Sequence, residues 1–456
     1  MSKAVQEYLQ KNEERLLHKL SDFLAIKSVS TDPEKKDNME EAVDFLINYM
    51  KEIGFDTVER RETGGHPLVY AEYMQAEGAP TALFYGHYDV QPADPYELWE
   101  TEPFTPTIRD GKIFARGASD DKGQVFMHLA VFEAMMNTEG KLPLNVKVVI
   151  EGEEEIGSEH LYSFLHDNQE LLKADFSLIS DSGMVDKGIP TILYGLKGFT
   201  GLELKVRGPG RDLHSGLYGG AVKNPAMALA QLLASMKNEE EVITVPGFYD
   251  GVEELPEEER KLMNEAPGED YPVTTGIPET ASEKGYTAKE HTMARPTLEV
   301  NGMFGGYQGE GTKTIIPAEA TAKLTCRLVP GQDPKDVQDK LVDFINNNTP
   351  KGVIVDVKRE ALSAKAYKVD PGHPLLRKAA ESYSEAFGSE TVFVRLGGSI
   401  PVVETIDSLF GIPVVLLGFG TPEDNLHSPN ESFPLEHFAK GMDVLTRFYN
   451  NAAVNK

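Results

Sequence analysis

The pattern that most narrows the fold is an alternation of short apolar runs with helix-length segments through the first part of the chain. The runs 68–71, 82–85, 146–150 and 176–179 have strand length, and 39–53, 125–136 and 161–172 read as helices around them. Alternation of this kind favours an α/β fold with a mostly parallel sheet covered on both faces. Val5, Tyr8, Leu9, Leu16, Leu20, Phe23 and Leu24 share one face and predict a single amphipathic helix at the start. A further apolar run, 414–417, predicts a buried strand late in the sequence.

The middle of the chain reads differently. Leu202, Leu204 and Val206 alternate with polar residues, which predicts a strand with one wet face. A helix over 225–236 follows, with Pro225 at an early helical position. Strands near 297–300 and 320–329, a helix near 334–346 and a strand near 353–357 complete the segment. The order β-α-β-β-α-β predicts a small ferredoxin-like α+β domain inserted into the larger one. A chain of 456 residues exceeds one ordinary core, so two domains are expected. Glycine-rich 195–201 and the Pro-Gly stretch 370–374 supply the boundaries, giving 1–199 and 376–456 to the first domain and 200–375 to the insertion.

Composition then removes whole classes of function. A net charge of −28 argues strongly against nucleic acid as a partner, because phosphate would be repelled. No apolar run approaches a membrane span, and the charged stretch MSKAVQEYLQKNEERLLHKL lacks the apolar core of a signal peptide, so a cytoplasmic protein is expected. Cys326 is the single cysteine, which rules out an internal disulfide and a cysteine-rich zinc site; within the alternating run 323–329 it reads as an ordinary strand residue. Acidic runs such as 253–259 read as solvated surface.

What remains is chemistry at strand ends. The run 82–85 leads into Gly86-His87-Tyr88-Asp89, and 146–150 leads into Glu151-Gly152-Glu153-Glu154-Glu155. The run 176–179 leads into Ser180-Asp181, and 414–417 leads through a loop to His427. In open α/β sheets the ligand crevice lies outside the carboxyl ends of the strands, so these groups are expected on one rim. A fifth element, Gly117-Ala118-Ser119-Asp120-Asp121-Lys122-Gly123, precedes a helix and is placed at the same rim. Two histidines with several carboxylates suit zinc, manganese or cobalt, and a shared carboxylate can bridge two ions. A lone His-x-Asp or an acidic run is ordinarily surface; the joint occurrence at strand ends is what points to metal.

Three strings carry a resemblance: 85–92 (Tyr-Gly-His-Tyr-Asp-Val-Gln-Pro), 115–123 (Ala-Arg-Gly-Ala-Ser-Asp-Asp-Lys-Gly) and 151–158 (Glu-Gly-Glu-Glu-Glu-Ile-Gly-Ser). They resemble the M20 metallopeptidases, and within them the cytosolic non-specific dipeptidase and carnosinase-like branch. Supporting strings lie at 213–220, 314–317, 326–330, 397–401 and 427–430, in consistent order. The stretch Glu423-Asp424-Asn425-Leu426-His427 is more similar to bacterial dipeptidase-like members. The resemblance implies a di-metal catalytic domain with an inserted lid and dimerisation domain. It implies two divalent ions per subunit, Zn²⁺ or Mn²⁺, bridged by Asp120, with His87 and Asp181 completing one site and Glu155 and His427 the other. It implies hydrolysis of dipeptides by a water bridging the two metals, with Glu154 as general base and Asp89 orienting His87. It also implies a homodimer in which His214 serves the neighbouring active site, while Thr314, Arg327 and, in the returning first domain, Ser399 bind the substrate. A donor such as His214 strengthens on a developing oxyanion, and arginine grips a carboxylate bidentately.

The same core site would serve an N-acyl amino acid deacylase or a carboxypeptidase of the same superfamily, and the string 397–401 with the long acidic stretch 239–290 favours the dipeptidase. A non-catalytic binding protein would have lost a ligand or Glu154, and every one of those positions is filled. His128 reads as a packed helical residue. His18, His66, His160, His166, His291, His373 and His437 match no metal position.

Overall fold

The computed structural model describes residues 3–268 and 270–454. Its principal strands are β1 (Thr57–Arg61), β2 (Leu68–Tyr73), β3 (Thr81–His87), β4 (Asn145–Glu151), β5 (Phe176–Ile179), β6 (Thr191–Leu196), β7 (Gly198–Arg207), β8 (Thr297–Gly305), β9 (Glu319–Leu328), β10 (Ile354–Arg359) and β11 (Val414–Leu416). The chain divides into two compact units, Met1–Tyr194 with Val369–Phe393 and Thr405–Lys456, and Gly195–Lys368 with Val394–Glu404.

The sheet of the first unit runs β1-β2-β4-β3-β5-β11-β6. Its four central strands, β4, β3, β5 and β11, are mutually parallel, and antiparallel strands flank them. Every residue of β4 is buried, as expected of a strand covered on both faces. The helix Lys122–Glu139 is buried around its whole circumference from Lys122 to Met135, so it lies inside the core instead of along its surface. Parallel pairing aligns the carboxyl ends of β4, β3, β5 and β11 along one edge, as the alternation of runs and helices had implied.

Two expected helices are each divided in two. The predicted first helix is Lys3–Lys11 followed by Glu13–Ala25, and the segment predicted over 161–172 is Glu159–Asp167 followed by Gln169–Leu172. An asparagine sits at both breaks. The side-chain amide of Asn12 donates to the Tyr8 carbonyl at 2.9 Å, and that of Asn168 donates to the Phe164 carbonyl at 2.8 Å. Each amide competes for the carbonyl four residues earlier, which interrupts a helix without altering its amphipathic face.

In the second unit the sheet order is β8-β9-β7-β10, all antiparallel. The helices Pro225–Ala234 and Pro334–Asn348 complete the β-α-β-β-α-β order, each opened by a side-chain cap, Asn224 and Asp333, before proline. Leu202, Leu204, Val206, Leu324, Cys326 and Leu328 form the core face beneath Leu229, Leu232, Leu341 and Ile345. Cys326 is thus a packing residue, and burial pushes its thiol up to about 12. The segment Val394–Glu404, placed with the first domain from its position beyond 375, groups instead with this unit. The amide of Lys197 explains the attachment, donating to Leu396 O at 3.3 Å and Gly398 O at 3.0 Å. Of the acidic stretch 239–290, residue 269 lies outside the described residues. Among the described residues no helix is long and apolar enough to cross a membrane.

Candidate metal centre

At the end of β3, His87 is fully buried. Its Nδ1 donates to the Asp89 carbonyl at 3.0 Å, which leaves Nε2 facing Asp120 Oδ1 at 3.1 Å. The Asp89 carboxylate, expected to orient His87, lies 3.4 Å from that same Nδ1 and also does something else. It accepts from the backbone N–H groups of Glu154 at 3.2 Å and Glu155 at 3.1 Å, the first residues of a short turn, Glu154–Ile156, after β4. One carboxylate therefore fixes the two strand ends in register. Gln91 adds a bond from Nε2 to Glu155 Oε2 at 2.7 Å.

Asp120 ends the loop before the buried helix, with Asp121 at the helix N-cap and a cis peptide bond between the two. The positive end of the helix dipole favours acidic groups here. Gly123 lets the loop close: a Cβ there would stand 2.0 Å from the Ala118 carbonyl oxygen. His427 approaches from the other side, Nε2 2.9 Å from Asp120 Oδ2 and 3.3 Å from Glu155 Oε2. Its backbone is left-handed, φ 58°, in a turn where Asn425 and Asn430 share that conformation. Non-glycine residues held this way persist where surrounding structure over-determines them. Here Asn430 is bonded on both sides, accepting from Glu100 N at 2.8 Å and donating to Leu98 O at 2.9 Å.

Two ligand triads result. His87, Asp120 and Asp181 form one, and Asp120, Glu155 and His427 the other; within each, one ligand atom per residue lies within 4.8 Å of the rest. Asp120 belongs to both, offering one oxygen to each side. These two groups are the metal-competent clusters found among the described residues, and Asp121 is in neither.

The electrostatics are those of a site built for cations. Burial, then the charge of Asp181, pushes Glu154 up to about 9; burial and Asp120 push Glu155 up to about 8; the same two causes push Asp181 up to about 6. Burial would raise Asp120 too, but hydrogen bonds from His427 and His87 hold it below its ordinary range. Burial would depress His87, yet hydrogen bonds to Asp120 and Asp89, with Asp181 and Glu154 nearby, hold it well above. So many carboxylates cannot all ionise side by side unless positive charge neutralises them. A His₂-carboxylate₃ set with one shared aspartate fits two divalent ions.

Glu431 was not singled out from the sequence. It is fully buried, and one oxygen accepts from Ser119 N at 2.9 Å and Asp120 N at 3.1 Å. The other accepts from Gly117 N at 2.9 Å and Arg116 Nη1 at 2.7 Å. It stands four residues beyond His427, so it ties the two ligand loops together. The signal was Arg116, an arginine inside an otherwise small, apolar loop that demands a buried partner. The remaining acid of the run, Glu153, faces elsewhere: it accepts from His66 N at 3.0 Å and pairs with His160 Nδ1 at 2.9 Å. His128 is buried between Tyr449 Oη and Ser180 Oγ, at 2.7 Å from each.

The other expected site residues belong to the second unit. Exposed His214 accepts from Gly216 N through Nδ1 at 3.0 Å, so its neutral ring carries the proton on Nε2. Thr314 is its neighbour across a two-residue ladder, where His214 pairs with Ile315. Arg327 donates to Ser399 Oγ at 2.8 Å, which puts Ser399 with Arg327 and not with the first unit as expected.

The profile of peptidase family M20/M25/M40 matches residues 83–451. The chain is similar to the Cys-Gly metallodipeptidase DUG1 of Candida albicans, 30% identical across 94% of this chain and 93% of that protein. It is 31% identical to the human Beta-Ala-His dipeptidase across 84% of this chain and 77% of the other. Among solved structures, the M20 family metallo-carboxypeptidase Sso-CP2 from Sulfolobus solfataricus superposes with a TM-score of 0.84 at 32% identity, covering 96% and 99% of the two chains.

Proposed function

The chain belongs to peptidase family M20/M25/M40 and hydrolyses dipeptides, and from that premise we propose how its own residues do so. The observation that carries the reading is the pair of ligand triads sharing Asp120, with Glu154 next to the ligand Glu155. His87 and Asp181 would hold one ion with Asp120, and Glu155 and His427 would hold the other with it. Zn²⁺ or Mn²⁺ suits this donor set. Such ions supply Lewis acidity, lowering the pKa of water and polarising the scissile carbonyl.

Glu154 acts as the general base. With positive charge offsetting Asp181 and Glu155, its carboxylate takes a proton from the attacking water and returns it to the leaving amine. Asp89, holding the amides of Glu154 and Glu155, keeps that carboxylate at its post. The 200–375 domain serves as lid and dimerisation domain. His214 donates its Nε2 proton to the carbonyl oxygen as it becomes an oxyanion, and does so for the neighbouring subunit of a homodimer. Arg327 and Ser399 grip the substrate's terminal carboxylate, with Thr314 on its backbone. Residence in the cytoplasm belongs to the same reading, and a single buried thiol suits a reducing compartment.

Similarity to a metallo-carboxypeptidase favours a second reading, removal of one C-terminal residue from longer peptides. A panel of dipeptides, a tripeptide and an acetyl-amino acid, assayed in Zn²⁺ and in Mn²⁺, separates the two: fast cleavage of the dipeptides alone is expected. Glu154→Gln should retain both metals by elemental analysis while kcat falls on the order of 10²–10⁴-fold, since Gln cannot take the proton. Near wild-type turnover would remove Glu154 from the mechanism.

A further inference from the structure

Lys197 is an unusual residue for its position. Its side chain is almost fully buried, at 3% exposure, and its ammonium donates to the His291 carbonyl at 2.9 Å. Its backbone amide is bonded to Gly398 O, one residue before Ser399. Ser399 in turn accepts from Arg327, whose guanidinium lies over the Phe199 ring at 5.9 Å. Phe199 is opposite Arg327 in the ladder and two residues from Lys197. The four residues therefore form one connected group within the second unit.

The charges of this group do not balance. Nearby Arg295 is neutralised by a two-point pair with Glu283, at 2.7 and 3.2 Å. Among the described residues, neither Lys197 nor Arg327 has a carboxylate within 4.0 Å. Burial, then repulsion from Arg327 and Arg295, pulls the Lys197 amine down to about 7, and Glu283 and Glu299 offset this only in part. A buried cation without a counter-ion is costly, and it is stabilised when an anion arrives beside it.

We propose that Lys197 is a specificity-determining residue whose charge, added to that of Arg327, makes the enzyme select substrates that end in a free carboxylate. Lys197 acts through its field and not through contact, which its burial prevents. This rests on the reading of Arg327 and Ser399 as the carboxylate grip. A hydrogen bond that merely anchors the 288–294 helix end would give no such preference, so the two roles are separable.

The test compares a dipeptide with its C-terminal amide in the metal-loaded enzyme. The wild type should favour the acid, chiefly through KM. Lys197→Met and Lys197→Gln should raise KM for the acid roughly tenfold, leave kcat near wild type and barely change kinetics on the amide. Lys197→Arg should restore the preference. Equal losses on both substrates, or a preference for the acid as strong as the wild type's in either neutral variant, would overturn the proposal and leave Lys197 an anchor. A wild type that cleaves dipeptides but shows no preference would overturn the grip itself, and Lys197 with it.

Discussion

Glu431 makes no contact that chemistry would predict for a catalytic residue, yet it holds the loop that carries Asp120, the candidate ligand common to both triads. Four donors converge on its carboxylate, three of them backbone N–H groups flanking Asp120. Glu431→Gln replaces one accepting oxygen with an amide that points hydrogens at donors, and it strips buried Arg116 of its counter-charge. Loss of one partner from a buried pair costs about 3–5 kcal/mol, and displaced support around a ligand weakens metal affinity roughly 10–100-fold. Thermal melts and metal titration should report both losses. A variant that melts early but binds metal as tightly as the wild type would make Glu431 a stability residue only. At this scale the candidate ligands were legible because His87, Glu155 and Asp181 stand at or just beyond strand ends and Asp120 just before a helix. Glu431 was not, since a buried carboxylate that accepts from backbone amides leaves no local pattern.

The elements explain why those ligands meet. Parallel pairing of β3, β4, β5 and β11 puts their carboxyl ends side by side, and apolar runs followed by His, Glu or Asp are what the sequence displays. Strand positions were therefore readable to within a few residues, because buried parallel strands are nearly continuous apolar runs. The helix breaks at Asn12 and Asn168 were not, because an asparagine amide inside a sound amphipathic pattern changes hydrogen bonding without changing periodicity. The grouping of Val394–Glu404 with the second unit was hidden for a similar reason: it depends on backbone bonds from Lys197. Convergence of strand ends has a measurable electrostatic consequence. Without metal, Glu154 near 9 and Glu155 near 8 hold protons at pH 7, and His87, raised well above its ordinary value, holds one as well. Ligand atoms must be free of protons to bind, so loading the apoprotein at pH 7 should release about two protons or more per subunit. The sign follows: affinity falls as pH drops, because more protons must be displaced, and release diminishes as pH rises toward 9. Metal-binding heats measured in buffers of different ionisation enthalpy give the count, and no release at pH 7 would contradict the crowding.

At the scale of the whole molecule the question is whether one chain contains a complete site. The five candidate ligands and Glu154 belong to the first unit, and His214, Thr314, Arg327 and Ser399, proposed to bind the substrate, belong to the second. His214 is exposed and accepts from Gly216 N through Nδ1, and its proposed service to a neighbouring subunit can be tested by mixing variants. His214→Ala should retain both metals and be nearly inactive, as should Glu154→Gln. When the two are mixed under conditions that exchange subunits, a mixed dimer carries intact Glu154 on one chain and intact His214 on the other. One of its two sites is then whole. Random pairing in a two-fold dimer should restore roughly a quarter of the wild-type sites. Native mass spectrometry must show the mixed dimer while activity is measured. If mixed dimers form and activity stays at the level of the separate variants, His214 serves its own chain or has no part in the reaction.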